Sequence, residues 1–427
     1  AGNALAVARV VADALSAKYF PLDAERGVGR VLADSENGMV IDFARMHPSG
    51  ITADLLARDF TINAMALPAA GARNLLDPAG GREHLRAKTV CMLSETALAA
   101  DPIRVLRAVR LAAELGFHID RGTRDALRNN AAALQQVSAE RVRDEFLRCL
   151  GGPNPTGALR VLARLRLMQH VLAEWNADDG ARGLSVCAAL QALLSVLRPR
   201  HDVDAASEFA LGLVAARVGR FRSALGDHLS ACVVAPRNRG QLLYLAALLR
   251  AICANTQVRQ RARALRLSNS ECDILAVLAK TADLPQAGPR RGWGSNGGRA
   301  PTPMELSVRE VHHFFRVQGA SGVEACLLSL AETLAEHGPA LPQTEWAQKV
   351  ECVVALLDGY FNRYTEVIEP PALIDGSELM AALGISAGER VGSLLSQIKV
   401  AQAAGEVISR EQALQLARTL HAQRGER

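Results

Sequence analysis

Strand-like periodicity is confined to one short stretch of this 427-residue chain, and the residues after it have helical spacing. Lys18–Leu22, Gly29–Ala33 and Met39–Ala44 read as strands, with Ser35-Glu-Asn-Gly38 as the turn joining the last two. Residues 3–16 precede them with helical apolar spacing. Three short strands and one helix bury little, so more sheet is expected upstream of Ala1. The chain is too long for one core. Its fold class is read as α+β: a partial α/β head, residues 1–82, lacking its first strands, followed by an all-α neck (83–150), body (151–364) and C-terminal tail (365–427). Gly151-Gly-Pro-Asn-Pro155 and the Gly/Pro/Arg-rich stretch 285–303 punctuate the helices, and Pro370-Pro371 opens the tail.

The stretch Ala100-Asp-Pro-Ile-Arg-Val-Leu-Arg-Ala-Val-Arg110 carries the most chemistry. Read as one helix ended by Gly116, it displays Asp101, Arg104, Arg107 and Arg110 on neighbouring turns. Asp101 and Arg104, three apart, then present an acceptor beside a donor fork. The Watson–Crick edges of cytosine and adenine each place an amino donor next to a ring-nitrogen acceptor, whereas uracil and guanine reverse that order. Such a pair therefore fits C and A and rejects U and G. An ordinary surface ion pair is the simpler alternative for these two residues alone.

Other residues are readable by type and position. Thr61, or Asp59 before it, is placed to cap a helix starting there, which would set Arg58 and Asp59 at a helix entrance suited to a ribose hydroxyl or a phosphate. Asp77-Pro-Ala-Gly-Gly81 is a tight turn whose glycines need no further role. Ser138 is expected to cap a helix running through Glu145 to Leu150. From 156 to 284, Arg160, Arg164, Arg166, Arg217, Arg220, Arg222, Arg259, Arg261, Arg263 and Arg266 fall on polar helix faces. Residues 151–300 hold 20 basic and 10 acidic side chains, against 10 and 16 in 301–427. That balance suits a polyanion-binding surface, and a scattered solvated face is the equally simple alternative.

Some classes are excluded. The eight cysteines form no C-x-x-C pair, which argues against a zinc or redox centre and for a reduced, cytoplasmic setting. No apolar run approaches bilayer-spanning length, and no secretory leader is recognisable, so no membrane partner is expected.

Four motifs occur in order: Arg58-Asp-Phe-Thr-Ile-Asn-Ala64; Asp77-Pro-x-Gly-Gly81; Asp101-Pro-Ile-Arg104-Val-Leu-Arg107-Ala-Val-Arg110 with Leu-Gly-Phe117; and Ser138-x-Glu140-Arg141-x-x-x-Glu145. Together they resemble the class II tRNA nucleotidyltransferase and bacterial poly(A) polymerase family. The terminal unit, Pro371-Ala-Leu-Ile-Asp-Gly376 through Gly405-Glu-Val-Ile-Ser-Arg410, is similar to the end of bacterial CCA-adding enzymes.

The resemblance implies a nucleotidyltransferase that adds C and/or A to the tRNA 3′ acceptor end from CTP and ATP. Arg58 and Asp59 would contact the ribose. Asp101 and Arg104 would read the base, with Arg107 and Arg110 supporting the template or the triphosphate. Glu140, Arg141 and Glu145 would form a structural neck motif, and the basic body would hold tRNA phosphates.

Two departures stand out. Ala100 replaces the acidic residue that precedes the template Asp in the family. The D-x-D pair that binds two Mg2+ ions is absent from residues 1–50, so no catalytic residue is assigned, and the pair is expected upstream of Ala1. Without it the 427 residues are expected to be inactive. Asp42, in Val40-Ile-Asp-Phe-Ala44, alternates onto a strand face from which it could approach such a metal site; an ordinary strand-edge carboxylate is the equal alternative. Asp202-Val-Asp204 reads as a solvated helix start. The alternatives to CCA addition are poly(A) polymerase and a catalytically silent RNA-binding remnant. A phosphohydrolase built on His201-Asp202 lacks the further His and Asp it would need.

Overall fold

The computed structural model describes residues 3–33, 38–69, 71, 74–198, 208–280, 284–285 and 306–423. It divides into two compact units, Ala1–Val137 and Ser138–Arg427.

The first unit opens with α1 (Ala4–Ala14), capped by Asn3, whose Oδ1 accepts from the Leu5 and Ala6 N–H groups. An antiparallel sheet comes next in the order β1 (Lys18–Asp23), β2 (Val28–Leu32), β3 (Val40–Ala44). All four elements lie within two residues of their expected bounds. The turn expected at 35–38 falls, except for Gly38, outside the described residues. Ala4, Ala8 and Ala12 form the buried face of α1, and Ala8 and Ala12 pack on Val31, with Tyr19, Ile41 and Phe43 around them. Small side chains let the helix approach closely. A Cβ on Gly29 would stand 3.0 Å from the Tyr19 ring and 3.2 Å from the Ala8 methyl.

Next come α2 (Ile51–Leu56) and a single 3-10 turn, Thr61–Asn63. The helix expected from Thr61 does not form, because the backbone pairs elsewhere. The Thr61 N–H donates to the Cys91 carbonyl, Phe60 bridges Met92, and Ala66 bridges Leu76. The unit continues with α3 (Gly81–Arg86), β4 (Thr89–Val90), α4 (Glu95–Ala100), α5 (Arg104–Leu115), β5 (His118–Ile119) and α6 (Arg121–Asn129). β4 and β5 pair in parallel, a small sheet inside the segment read as all-helical. Val105, Leu106, Ala108, Val109 and Ala112 form the buried face of α5 at helical spacing, and Gly116 ends it at φ 66°. That C-cap matches the expectation.

The second unit is built of helices. α7 (Ala139–Gly151) packs against α8 (Pro155–Arg164), and α9 (Met168–Val171) and α10 (Ala177–Val196) come after them. Ser138 holds the N-cap position of α7, but its side chain makes no capping bond. After α11 (Phe209–Arg217) and α12 (Arg222–Ser230), a two-stranded hairpin of β6 (Cys232–Val234) and β7 (Arg237–Asn238) interrupts the helices that were expected to be continuous. α13 (Arg239–Ile252) is buried along most of its length and packs on α7 and α10, then α14 (Asn255–Ala264) and α15 (Asn269–Ala279) complete the run.

α16 (Val308–Gln318), α17 (Gly322–His337) and α18 (Gln343–Phe361) continue the body. The tail, α19 (Gly376–Leu383), α20 (Glu389–Ala403) and α21 (Arg410–Gln423), has its own core around Leu379, Leu394, Ile398 and Ala413. Asp375 and Glu378 form the capping box of α19, and Gly384 ends it at φ 65°. The pair at 202–204 and His201 lie outside the described residues.

Candidate nucleotide-binding site

Asp101 is not on the helix that carries Arg104. Pro102 disfavours helical backbone at the preceding residue, and Asp101 accordingly sits extended, at φ −142° and ψ 91°, as the C-cap of α4. The chain then turns at Pro102-Ile103, the Arg104 N–H donating to the Asp101 carbonyl at 3.0 Å, before α5 begins. The expected single helix over 100–110 is thus two helices with Asp101 at their junction.

The Arg104 guanidinium reaches back to backbone. Its Nη1 donates to the Ala97 carbonyl at 3.1 Å and the Arg58 carbonyl at 3.3 Å, and Nη2 to the Ala57 carbonyl at 3.4 Å. Nε is buried with no acceptor among the described residues. One helical turn on, the Arg107 Nη1 donates to Asp59 Oδ2 at 3.1 Å. Two arginines of α5 therefore hold the turn 57–59, which follows α2, against this helix.

Asp59 is buried, at 7 % exposure. Its Oδ1 accepts from the Phe60 N–H at 2.9 Å and the Asn63 amide at 3.0 Å. Burial pushes its carboxyl up, but the Asn63 amide, the Arg107 guanidinium and the Phe60 N–H outweigh that and hold it below the usual carboxylate range. Asp59 is thus an ionised anchor and not an open helix cap. Arg58 next to it is exposed; it donates from Nη1 to the Asn63 carbonyl at 3.0 Å and lies 3.5 Å from Asp54. Arg110 pairs with Glu114 one turn further along α5, at 2.7 Å.

Asn63, Asp54 and Gly81 carry structural roles that reading by residue type missed. A Cβ on Gly81 would stand 2.1 Å from the Thr61 carbonyl oxygen, so this glycine is what lets α3 pack on the 3-10 turn. Asp77 caps that helix start, its carboxylate accepting from the Gly81 and Arg82 N–H groups at 2.7 and 2.9 Å. His84 Nδ1 lies 3.0 Å from Thr61 Oγ1. The spacing Asp59-x-x-x-Asn63 was the signal available for Asn63.

In the second unit, Glu145 is buried and lies 3.7 Å from Arg148, while Glu140 lies 3.8 Å from Arg266. Many body arginines read as polyanion contacts are paired within the fold. Arg217 binds Glu351, Arg261 binds Glu174, and Arg259 binds Asp273. Arg220 lies 3.6 Å from Asp358, and Arg222 donates to the Val196 carbonyl. Arg160, Arg164, Arg166 and Arg263 are exposed and in no ion pair among the described residues.

Asp42 faces Arg30 across β2 and β3, accepting at 2.7 and 2.8 Å on its two oxygens. The Arg30 guanidinium lowers its carboxyl below the usual range. Among the described residues no group of three or more His, Cys, Asp or Glu side chains is placed to hold a metal ion.

The family model for the poly A polymerase head domain matches residues 30–91, and that for the probable RNA- and SrmB-binding site of polymerase A matches 116–178. The CC-adding tRNA nucleotidyltransferase of Geobacter sulfurreducens is 31% identical over 406 residues, covering 95% of this chain and 83% of its own. The chain belongs to the tRNA nucleotidyltransferase family. A second family member, the A-adding tRNA nucleotidyltransferase of Deinococcus radiodurans, is 30% identical and covers 94% of this chain and 85% of its own. Among solved structures, the Bacillus stearothermophilus CCA-adding enzyme in complex with CTP has a TM-score of 0.62 at 22% identity, covering 96% of this chain and 86% of that one. The α+β fold of a nucleotidyltransferase head with a helical body is that of this family. Among the described residues no helix is long and apolar enough to cross a membrane.

Proposed function

We propose that this chain is a cytoplasmic tRNA nucleotidyltransferase that adds C and/or A to the tRNA 3′ acceptor end from CTP and ATP. The observation that carries this reading is the clamp between α5 and the 57–63 segment. Arg104 and Arg107 hold Arg58 and Asp59 in place, which supports a single nucleotide site made of both motifs. Arg58 is the exposed member, suited to a ribose hydroxyl or a phosphate. Asp101, at the helix junction, and Arg104, whose Nε–H has no acceptor among the described residues, form the base-reading pair. Arg107 positions Asp59, and Arg110 supports the helix through Glu114.

Glu140, Arg141 and Glu145 act structurally in the neck, and the exposed arginines of the body contact tRNA phosphates. The segments 1–82, 83–150, 151–364 and 365–427 serve as head, neck, body and tail. No membrane takes part. Mg2+ is the metal the family implies; Asp42 would join it only by releasing Arg30.

The test is primer extension with Mg2+ on tRNAs lacking CCA, CA or A, each with one of the four nucleoside triphosphates. It is run on the 427-residue chain and on a version extended upstream with a segment carrying the D-x-D pair. Incorporation of CTP, ATP or both on the cognate ends is expected. UTP used as readily as CTP, or no incorporation by either protein, refutes it, and tRNA binding without incorporation identifies a silent remnant. Poly(A) polymerase is the second reading, favoured by the names of the two matching family models. It requires ATP alone to be used, repeatedly and on many RNAs.

A further inference from the structure

Tyr244 on α13 is 4 % exposed, and its hydroxyl is buried with no hydrogen-bond partner among the described residues. Buried hydroxyls are seldom left unpaired, because stripping one of water without replacement is unfavourable. Tyr244 lines a cavity of about 290 Å3, just below the usual range for ligand sites. Its walls come from the ends of α7 and α10, from α12 and from the start of α13.

The lining is of two kinds. Leu194, Leu197 and Leu225 supply apolar surface, while Arg198 and Arg222 bring positive charge. No acidic side chain is among the lining residues, and neither arginine is in an ion pair among the described residues. Arg222 donates to the Val196 and Ala215 carbonyls, which fix its guanidinium without neutralising it. Arg198, exposed, follows α10 on the same cavity wall as Leu194 and Leu197. Elsewhere in the body Arg217, Arg237, Arg239, Arg250 and Arg261 each meet a carboxylate, and the unpaired Arg160, Arg164, Arg166 and Arg263 are exposed. Two cations and a buried hydroxyl, none with an acidic or hydrogen-bonding side-chain partner among the described residues, and an apolar wall are complementary to an anion with an apolar body.

We propose that this cavity binds a small organic carboxylate, its alkyl or aryl body against the leucines and its charge between Arg198, Arg222 and the Tyr244 hydroxyl. The ligand stabilises the helical body by supplying the partner the fold omits.

The test is calorimetric titration of the full chain with 2-naphthoate and with its neutral counterpart 2-naphthalenemethanol. Saturable one-site binding of naphthoate is expected, with the alcohol about tenfold weaker or worse. Tyr244→Phe removes only the unpaired hydroxyl, so it leaves the fold intact and weakens naphthoate about tenfold; Arg198→Gln does the same. Absence of saturable binding at millimolar naphthoate overturns the proposal. So does equal affinity in wild type and both variants, or displacement of naphthoate by CTP or ATP at stoichiometric levels, which would place it in the nucleotide site instead.

Discussion

Asp59 holds its charge in a buried position because a backbone N–H, a side-chain amide and a guanidinium surround it. Removing the guanidinium leaves the carboxylate short of its cation. Arg107→Ala is expected to lower unfolding stability by about 1–3 kcal/mol, toward the lower end because Arg107 is partly exposed. Urea denaturation reads this, and Asp59→Asn placed in the same background should recover part of the loss. The carboxyl lies below its usual range in the folded state, so its contribution is full at neutral pH and lost as pH falls through the carboxylate range. The stability difference between wild type and Asp59→Asn should therefore be largest near pH 7 and close below about pH 4. If the difference is unchanged on acidification, Asp59 is not ionised in the fold. Arg104→Ala should erode discrimination between CTP and UTP by about 1–3 kcal/mol while leaving tRNA affinity nearly intact. A variant that loses tRNA binding but keeps its nucleotide choice would remove Arg104 from the template.

At the scale of elements, the break at Pro102 and the packing of α3 matter most. A proline after Asp101 splits what looked like one helix and sets the carboxylate at a junction, where a short loop can aim it independently of the helix face. That signal was present in the dipeptide Asp101-Pro102. The seating of α3 was not, because nothing local tells Gly81 from Gly80. Gly80 has φ 69° and open space where a Cβ would go, so its need for glycine is conformational; Gly81 needs it for space. Gly80→Ala should cost about 1 kcal/mol in thermal or urea melts. Gly81→Ala must displace the Thr61 carbonyl and should cost more, about 1–3 kcal/mol, with nucleotide binding weakened because Thr61 lies between Asp59 and its partner Asn63. Equal cost at the two positions would mean that α3 is not seated on the turn.

Across the whole molecule, charge divides into arginines that hold helices together and arginines left to solvent. The sequence balance of the body pointed to a polyanion surface, but composition cannot say which cations are already neutralised. Arg217 faces Glu351, 134 residues away in sequence, whereas Arg164 is exposed and unpaired among the described residues. The salt dependence of tRNA binding separates the two. Arg164→Gln should reduce the slope of log affinity against log salt by about 1, as expected for one lost phosphate contact. Arg217→Gln should leave the slope unchanged and lower stability by about 1 kcal/mol or less. A reversed pattern would place the RNA on the opposite set of helix faces.

Short-range rules acting on neighbouring residues made much of this protein legible from its sequence: the α1–β1–β2–β3 layer, the Gly116 stop, the helical body and tail, and the family through its four ordered motifs. Tertiary structure alone decided which groups meet. It withheld a helix at Thr61 by giving that backbone a partner at Cys91, turned Asp59 into a buried anchor through Arg107, and tied Asp42 to Arg30. It also divided the body's arginines between ion pairs and solvent. Each of these depends on the partner that long-range packing brings to a polar group once water has been removed, and no local pattern encodes that partner.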